Sequence, residues 1–254
     1  MRNPVALPSF TDNYIWLLPG DQGCWVVDPG DATAVMNWLE GQQQQLAGIL
    51  LTHHHADHTG GAEQLSKLGN CPVWGPDECR QWRTQAVDDQ QLLMLDGLGP
   101  VQVLSVAAHT RGHVAYYLPG PGWLFCGDTL FSAGCGRLFE GTATDLQTAL
   151  ACINALPAET LLFPTHEYTL SNLRFARHVE PGNAAMAEAE KEVQALRQQG
   201  EPSLPTNLAR ERSINPFLRT HSHEIRAQVA QWSGLAIDSD LETLRLLRLW
   251  KDQF

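Results

Sequence analysis

The amino-terminal half alternates between apolar runs of strand length and stretches of helical periodicity. Tyr14-Ile15-Trp16-Leu17-Leu18 and Cys24-Trp25-Val26-Val27 are rich in aromatic and β-branched residues and flank Pro19-Gly20-Asp21-Gln22-Gly23, which predicts a hairpin. Pro29-Gly30 stops it. Asp31 is placed to cap a helix running to about Gly41, with Ala34, Val35, Trp38 and Leu39 on one apolar face. Leu46 to Leu51 predicts a strand, Gly61 to Leu68 a short helix, and Pro72-Val73-Trp74 another strand. Val101 to Val106 alternates apolar and polar, and Val114 to Leu118, Trp123 to Cys126 and Leu161 to Pro164 follow as strands. A helix from about Asp145 to Leu156 precedes the last of these. From about Ser171 the period turns helical: Met186, Ala189, Val193 and Leu196 share a face, and His221 to Trp232 and Leu241 to Trp250 predict further helices between prolines. The expectation is an α/β (α+β) chain in two parts, 1–170 with mixed sheets and 171–254 helical.

Candidate chemistry collects where strands end. The run Leu46 to Leu51 feeds Thr52-His53-His54-His55-Ala56-Asp57-His58. In an extended loop, side chains two apart point the same way, so His53 and His55 can close on one cation while His54 points away. Asp57 and His58 then face a second position. Later strands deliver His109, Asp128 and His166 in the same manner. Imidazole and carboxylate donors suit Zn, Fe or Mn, and fixing them past strand ends leaves one side open. Asp128 is the natural bridge between two ions, because a carboxylate has two oxygens and an imidazole one usable lone pair. Asp28, ending the second strand, is expected to orient a ligand instead of being one.

Composition narrows the partners. A chain of 254 residues can bury a large core, and a net charge of -11 argues against a nucleic-acid or anionic-membrane surface. A small anionic substrate would then need a few local cations. The six cysteines are scattered with no C-x-x-C pair, which predicts reduced thiols. No stretch approaches the ~20 apolar residues of a membrane span, and residues 1–13 lack the apolar core of a secretion signal. A cytoplasmic monomer is the expectation.

The histidine-rich stretch fits the T-H-x-H-x-D-H signature, and with His109, Gly127-Asp128-Thr129 and His166 the sequence resembles the metallo-β-lactamase superfamily. Residues Leu130 to Thr142, Thr165 to Leu173 and the closing Lys251-Asp252-Gln253-Phe254 are similar to the glyoxalase II (hydroxyacylglutathione hydrolase) family. The resemblance implies an αββα sandwich as catalytic domain (1–170) and a helical substrate-binding domain (171–254). It implies that His53, His55 and His109 hold one divalent metal, Asp57, His58 and His166 a second, and that Asp128 bridges them; zinc is expected, with iron or manganese as alternatives. It further implies that Asp57 orients a metal-bound hydroxide and that Arg137, Tyr168 and Arg219 hold glutathione. The reaction implied is hydrolysis of S-D-lactoylglutathione to D-lactate and glutathione, in methylglyoxal detoxification. The alternative is another hydrolase of the superfamily, or an iron-dependent sulfur dioxygenase acting on a glutathione derivative. Two departures stand out: Ala107-Ala108 replaces the usual Pro and small residue before His109, and Phe139 stands where some relatives carry Tyr.

Overall fold

The computed structural model describes residues 2–254. Its first sheet contains six strands in sequence order. These are β1 (Val5–Ser9), β2 (Asn13–Gly20), β3 (Gly23–Val27), β4 (Leu46–Leu50), β5 (Val73–Gly75) and β6 (Gln85–Ala86). β1 to β3 pair antiparallel, and β3 to β6 pair parallel. Parallel pairing needs crossovers, which are α1 (Ala32–Gln42) between β3 and β4, and α2 (Ala56–Thr59) with α3 (Ala62–Gly69) between β4 and β5. As expected, the Asp31 carboxylate caps α1 by accepting from the Thr33 amide. β1 was not foreseen from the sequence: its Pro8 lacks a ladder donor, which an edge strand tolerates.

The second sheet has the order β14-β13-β10-β9-β8-β7. Its antiparallel meander comprises β7 (Leu92–Leu95), β8 (Gly99–Ser105), β9 (Val114–Leu118) and β10 (Trp123–Gly127). A small hairpin of β11 (Leu130–Phe131) and β12 (Gly134–Cys135) follows. Then α4 (Ala143–Asn154) crosses to β13 (Leu161–Pro164), parallel to β10, with β14 (Thr206–Asn207) on the edge. Five helices belong to the remainder: α5 (Thr169–Val179), α6 (Ala184–Gln198), α7 (Leu208–Ile214), α8 (His223–Ser233) and α9 (Asp240–Gln253).

Burial on both faces explains the nearly unbroken apolar runs of the strands. In β2, Tyr14, Trp16 and Leu18 point into the core between the sheets, where they meet Val103, Tyr116, Phe125 and Phe163. Ile15 and Leu17 point the other way, onto Val35 and Leu39 of α1 and Leu65 of α3. The outer face of the second sheet, with Leu104, Tyr117, Leu124 and Cys126, joins α4 and the C-terminal helices in one cluster that includes Phe175, Phe217, Leu247 and Trp250. The architecture is therefore αββα with an added helical region. Among the described residues, no helix is long and apolar enough to cross a membrane.

Candidate metal centre and substrate cavity

The ends of β4, β8, β10 and β13 deliver His53, His109, Asp128 and His166 to one place at the edge of the sandwich. The stretch after β4 is not extended throughout as the sequence suggested. It turns into the single helical turn α2 after His55, and this turn aims Asp57 and His58 beside the first group. Gly127 makes the bend before Asp128 at φ 48, where a Cβ would lie 2.5 Å from Thr52 Oγ1 and 2.8 Å from the His113 ring.

Two donor groups result. In the first, His55 Nδ1 is 3.1 Å from His53 Nε2 and 3.0 Å from His109 Nε2. In the second, Asp57 Oδ2 is 3.5 Å from His58 Nε2 and 3.4 Å from His166 Nε2. Asp128 touches both: Oδ2 is 3.5 Å from His109 Nε2 and 3.3 Å from His166 Nε2, while Oδ1 is 3.4 Å from His58 Nε2.

The partners of the far nitrogens decide what these rings present. His109 Nδ1 lies 2.8 Å from the Arg137 carbonyl, His166 Nδ1 2.8 Å from Asp12 Oδ1 and His58 Nδ1 3.0 Å from Asp28 Oδ2. Each partner only accepts, so each Nδ1 carries the proton and Nε2 turns its lone pair to the centre. His53 behaves likewise. Thr52 Oγ1 donates to Asp28 Oδ2 at 2.7 Å and is therefore the acceptor for His53 Nδ1 at 3.0 Å.

The fit to cations can be judged from this arrangement. Three ligands of one tetrahedral ion, at bonds of ~2.1 Å, stand roughly 3.4 Å apart, within a few tenths of an ångström of the separations in the first group. His58 Nε2 and Asp128 Oδ1 are buried without any hydrogen-bond partner. Electrostatics point the same way. Burial, then neighbouring imidazoles, pull His53 well below the usual histidine range, and burial leads the lowering of His55 and His109. Burial alone would lower His58 and His166 too, but the charge of Asp128 overrides it and raises them to about 10 and about 11. Without a cation, a proton takes up the positive charge that Asp128 and Asp57 demand. The donor set therefore suits two adjacent divalent ions.

Several supporting residues escaped sequence reading. Asp12 comes from the turn after β1 and Asn13 from the start of β2, and Asn13 Nδ2 donates to Asp57 Oδ2 at 3.0 Å. His113 stacks on His53 with ring centroids 4.5 Å apart, and its Nε2 accepts from the Asp128 amide at 3.1 Å. Asp28 does orient His58. His54 stays outside both groups, its ring nitrogens 3.4 Å from Glu78 and 3.5 Å from Glu140.

A cavity of about 660 Å³ borders the donors. Its lining includes His55, Asp57, His109, Asp128 and His166, together with Arg137, Tyr168, Arg248, Lys251, Asp252 and Phe254. Tyr168 stacks on His166 at 4.6 Å, and Phe139 sits edge-on to His109 at 5.2 Å. Arg219 corrects the sequence expectation: it does not line this cavity, because both its terminal nitrogens pair with the buried Glu180 carboxylate. Arg248 and Lys251 join Arg137 as the cations that bring charge there. Lys251 Nζ lies 5.2 Å from the Phe175 ring centroid, and burial, then the Arg248 charge, bring its pKa down to about 8.

Comparison with known proteins agrees with this geometry. Residues 9–166 match the metallo-beta-lactamase superfamily model, and residues 167–254 match the model of the hydroxyacylglutathione hydrolase C-terminus. The hydroxyacylglutathione hydrolase of Pseudomonas fluorescens (strain SBW25) is 49% identical over 253 residues, 98% of each chain. That of Aeromonas salmonicida (strain A449) is 45% identical over 257 residues, with both chains covered in full at 100%. Among solved structures, TTHA1623 in a di-iron-bound form superposes with a TM-score of 0.61 at 24% identity, covering 85% of this chain and 100% of its own. With full-length relatives this similar and donors converging at the strand ends, the chain belongs to the hydroxyacylglutathione hydrolase family of the metallo-β-lactamase superfamily.

Proposed function

We propose that this protein hydrolyses the thioester of S-2-hydroxyacylglutathiones, taking S-D-lactoylglutathione to D-lactate and glutathione in methylglyoxal detoxification. The observation that carries the reading is one cavity lined both by imidazole and carboxylate donors and by Arg137, Arg248 and Lys251, in a chain of net charge -11. Glutathione carries two carboxylates, which such cations recognise.

In this reading His53, His55 and His109 hold one divalent ion, Asp57, His58 and His166 the other, and Asp128 both. Zinc is the proposed metal, with iron or manganese as alternatives for the same donors. Bound there, such ions would bring the pKa of a water toward ~7 and stabilise the oxyanion of an attacked carbonyl. Asp57, fixed by Asn13, accepts a hydrogen bond from the attacking water and orients it. Arg137 and Tyr168, joined by Arg248 and Lys251, receive the glutathione part. A thiol of pKa ~8.5 departs as thiolate with little protonation, so the cavity needs no separate general acid. Residues 1–170 act as the catalytic part and 171–254 as the substrate-binding part. A cytoplasmic location is proposed, supported by the scattered free cysteines, and with it a monomeric state. The acidic balance speaks against nucleic-acid and anionic-membrane partners.

Thiol release from S-D-lactoylglutathione tests the reading. Turnover with kcat/KM of about 10⁴ M⁻¹s⁻¹ or more is expected. Dioxygen uptake with a glutathione derivative, or faster cleavage of a β-lactam than of the thioester, would overturn it.

A further inference from the structure

The cavity contains a carboxylate that the reaction does not require. Asp252, near the end of α9, places Oδ1 3.0 Å from Arg248 Nη2 and 3.6 Å from Arg137 Nε. One oxygen thus faces both guanidinium groups that would meet the substrate's carboxylates. Asp252 is not needed to hold Arg248 in position. Arg248 is 5% exposed, donates through Nη1 to the Cys135 carbonyl at 2.8 Å, and packs over the Phe217 ring at 5.3 Å. These two contacts hold the guanidinium independently of Asp252, and its Nε is buried without a partner.

We infer that Asp252 is an internal counter-ion that competes with the glutathione carboxylates for Arg137 and Arg248, and so sets how readily glutathione leaves. The inference rests on the substrate reading above. Thioester and product share the glutathione part, so every contact to that part binds both alike; it lowers KM but also retains the product. A carboxylate seated on the same cations weakens both bindings without touching the reacting atoms. It is partly solvated, so water and salt screen it and the effect is modest.

The sign of the effect separates this role from a positioning one. If Asp252 served to place Arg248, removing its charge would loosen the arginine and raise KM. The test uses Asp252→Asn and Asp252→Ala in the full chain, with metal content and thermal midpoint measured beside the wild type. KM for S-D-lactoylglutathione and the inhibition constant of glutathione are read at about pH 6.5, where Lys251 stays charged. Both constants are expected to fall together by about two- to fivefold, the range of a partly exposed ion pair. A rise in either constant, or no change in both variants, overturns the inference. If the wild type itself releases no thiol, the substrate reading fails instead, and the inference falls with it.

Discussion

Each of four imidazoles at the centre is held by its far nitrogen, and the holder is in every case a group that was not itself read as a ligand. This is where support of the site can be broken without removing a ligand. Asn13→Ala deletes the donor to Asp57 Oδ2 and is expected to lower kcat by roughly tenfold or more while the metal content is retained, measured by steady-state kinetics with elemental analysis. Lys251 gives a pH dependence. Its ammonium is present below about 8 and lost as pH rises through that value, so KM should increase above about pH 8. In Lys251→Met that limb should vanish from the KM profile, with KM higher at neutral pH. The converging donors themselves were legible because the segments that carry them follow apolar strands. Asp12 and Asn13 were not, since their partners lie 154 and 44 residues further along and only tertiary structure joins them. Arg219 misled for a similar reason: nothing local announces that Glu180 claims its guanidinium.

At the scale of elements, the helical region clamps the hairpin that follows Asp128. Asn215 Nδ2 donates to the carbonyls of Phe131 and Gly134, each at 3.0 Å, and Asn172 Nδ2 to that of Ser132 at 3.0 Å. The fully buried Glu211 accepts from Ser132 Oγ, the Ala133 amide, Thr206 Oγ1 and Asn215 Nδ2, which fixes Ala133 at φ 55. Glu211→Ala would leave Ser132 Oγ, the Ala133 amide and Thr206 Oγ1 buried and unpaired, and should cost roughly 3 kcal/mol or more, read as a lowered urea midpoint. Most of the longer strands and helices were readable from periodicity, because alternate residues of β2 serve two cores and the helices bury one stripe. The helical turn α2 and the two-residue strands β6 and β14 were not, since so few residues carry no periodic signal.

For the molecule as a whole, the C-terminal helices complete the core as well as the cavity. Phe217, Ile225, Leu247 and Trp250 share one apolar cluster with Leu104 and Leu124 of the second sheet. A chain ending at residue 170 should therefore expose that sheet face and aggregate, which size-exclusion chromatography would show; a stable monomeric fragment would mean the second sheet needs no such cover. The central claim is that two metal positions joined by Asp128 act as one hydrolytic centre. The most direct test is to titrate the metal-free protein with zinc while following thiol release from S-D-lactoylglutathione. Activity should rise to a plateau at about two ions per chain, as the paired donor sets require. Full activity at one ion or none, or no thiol release with both positions filled, would contradict the account.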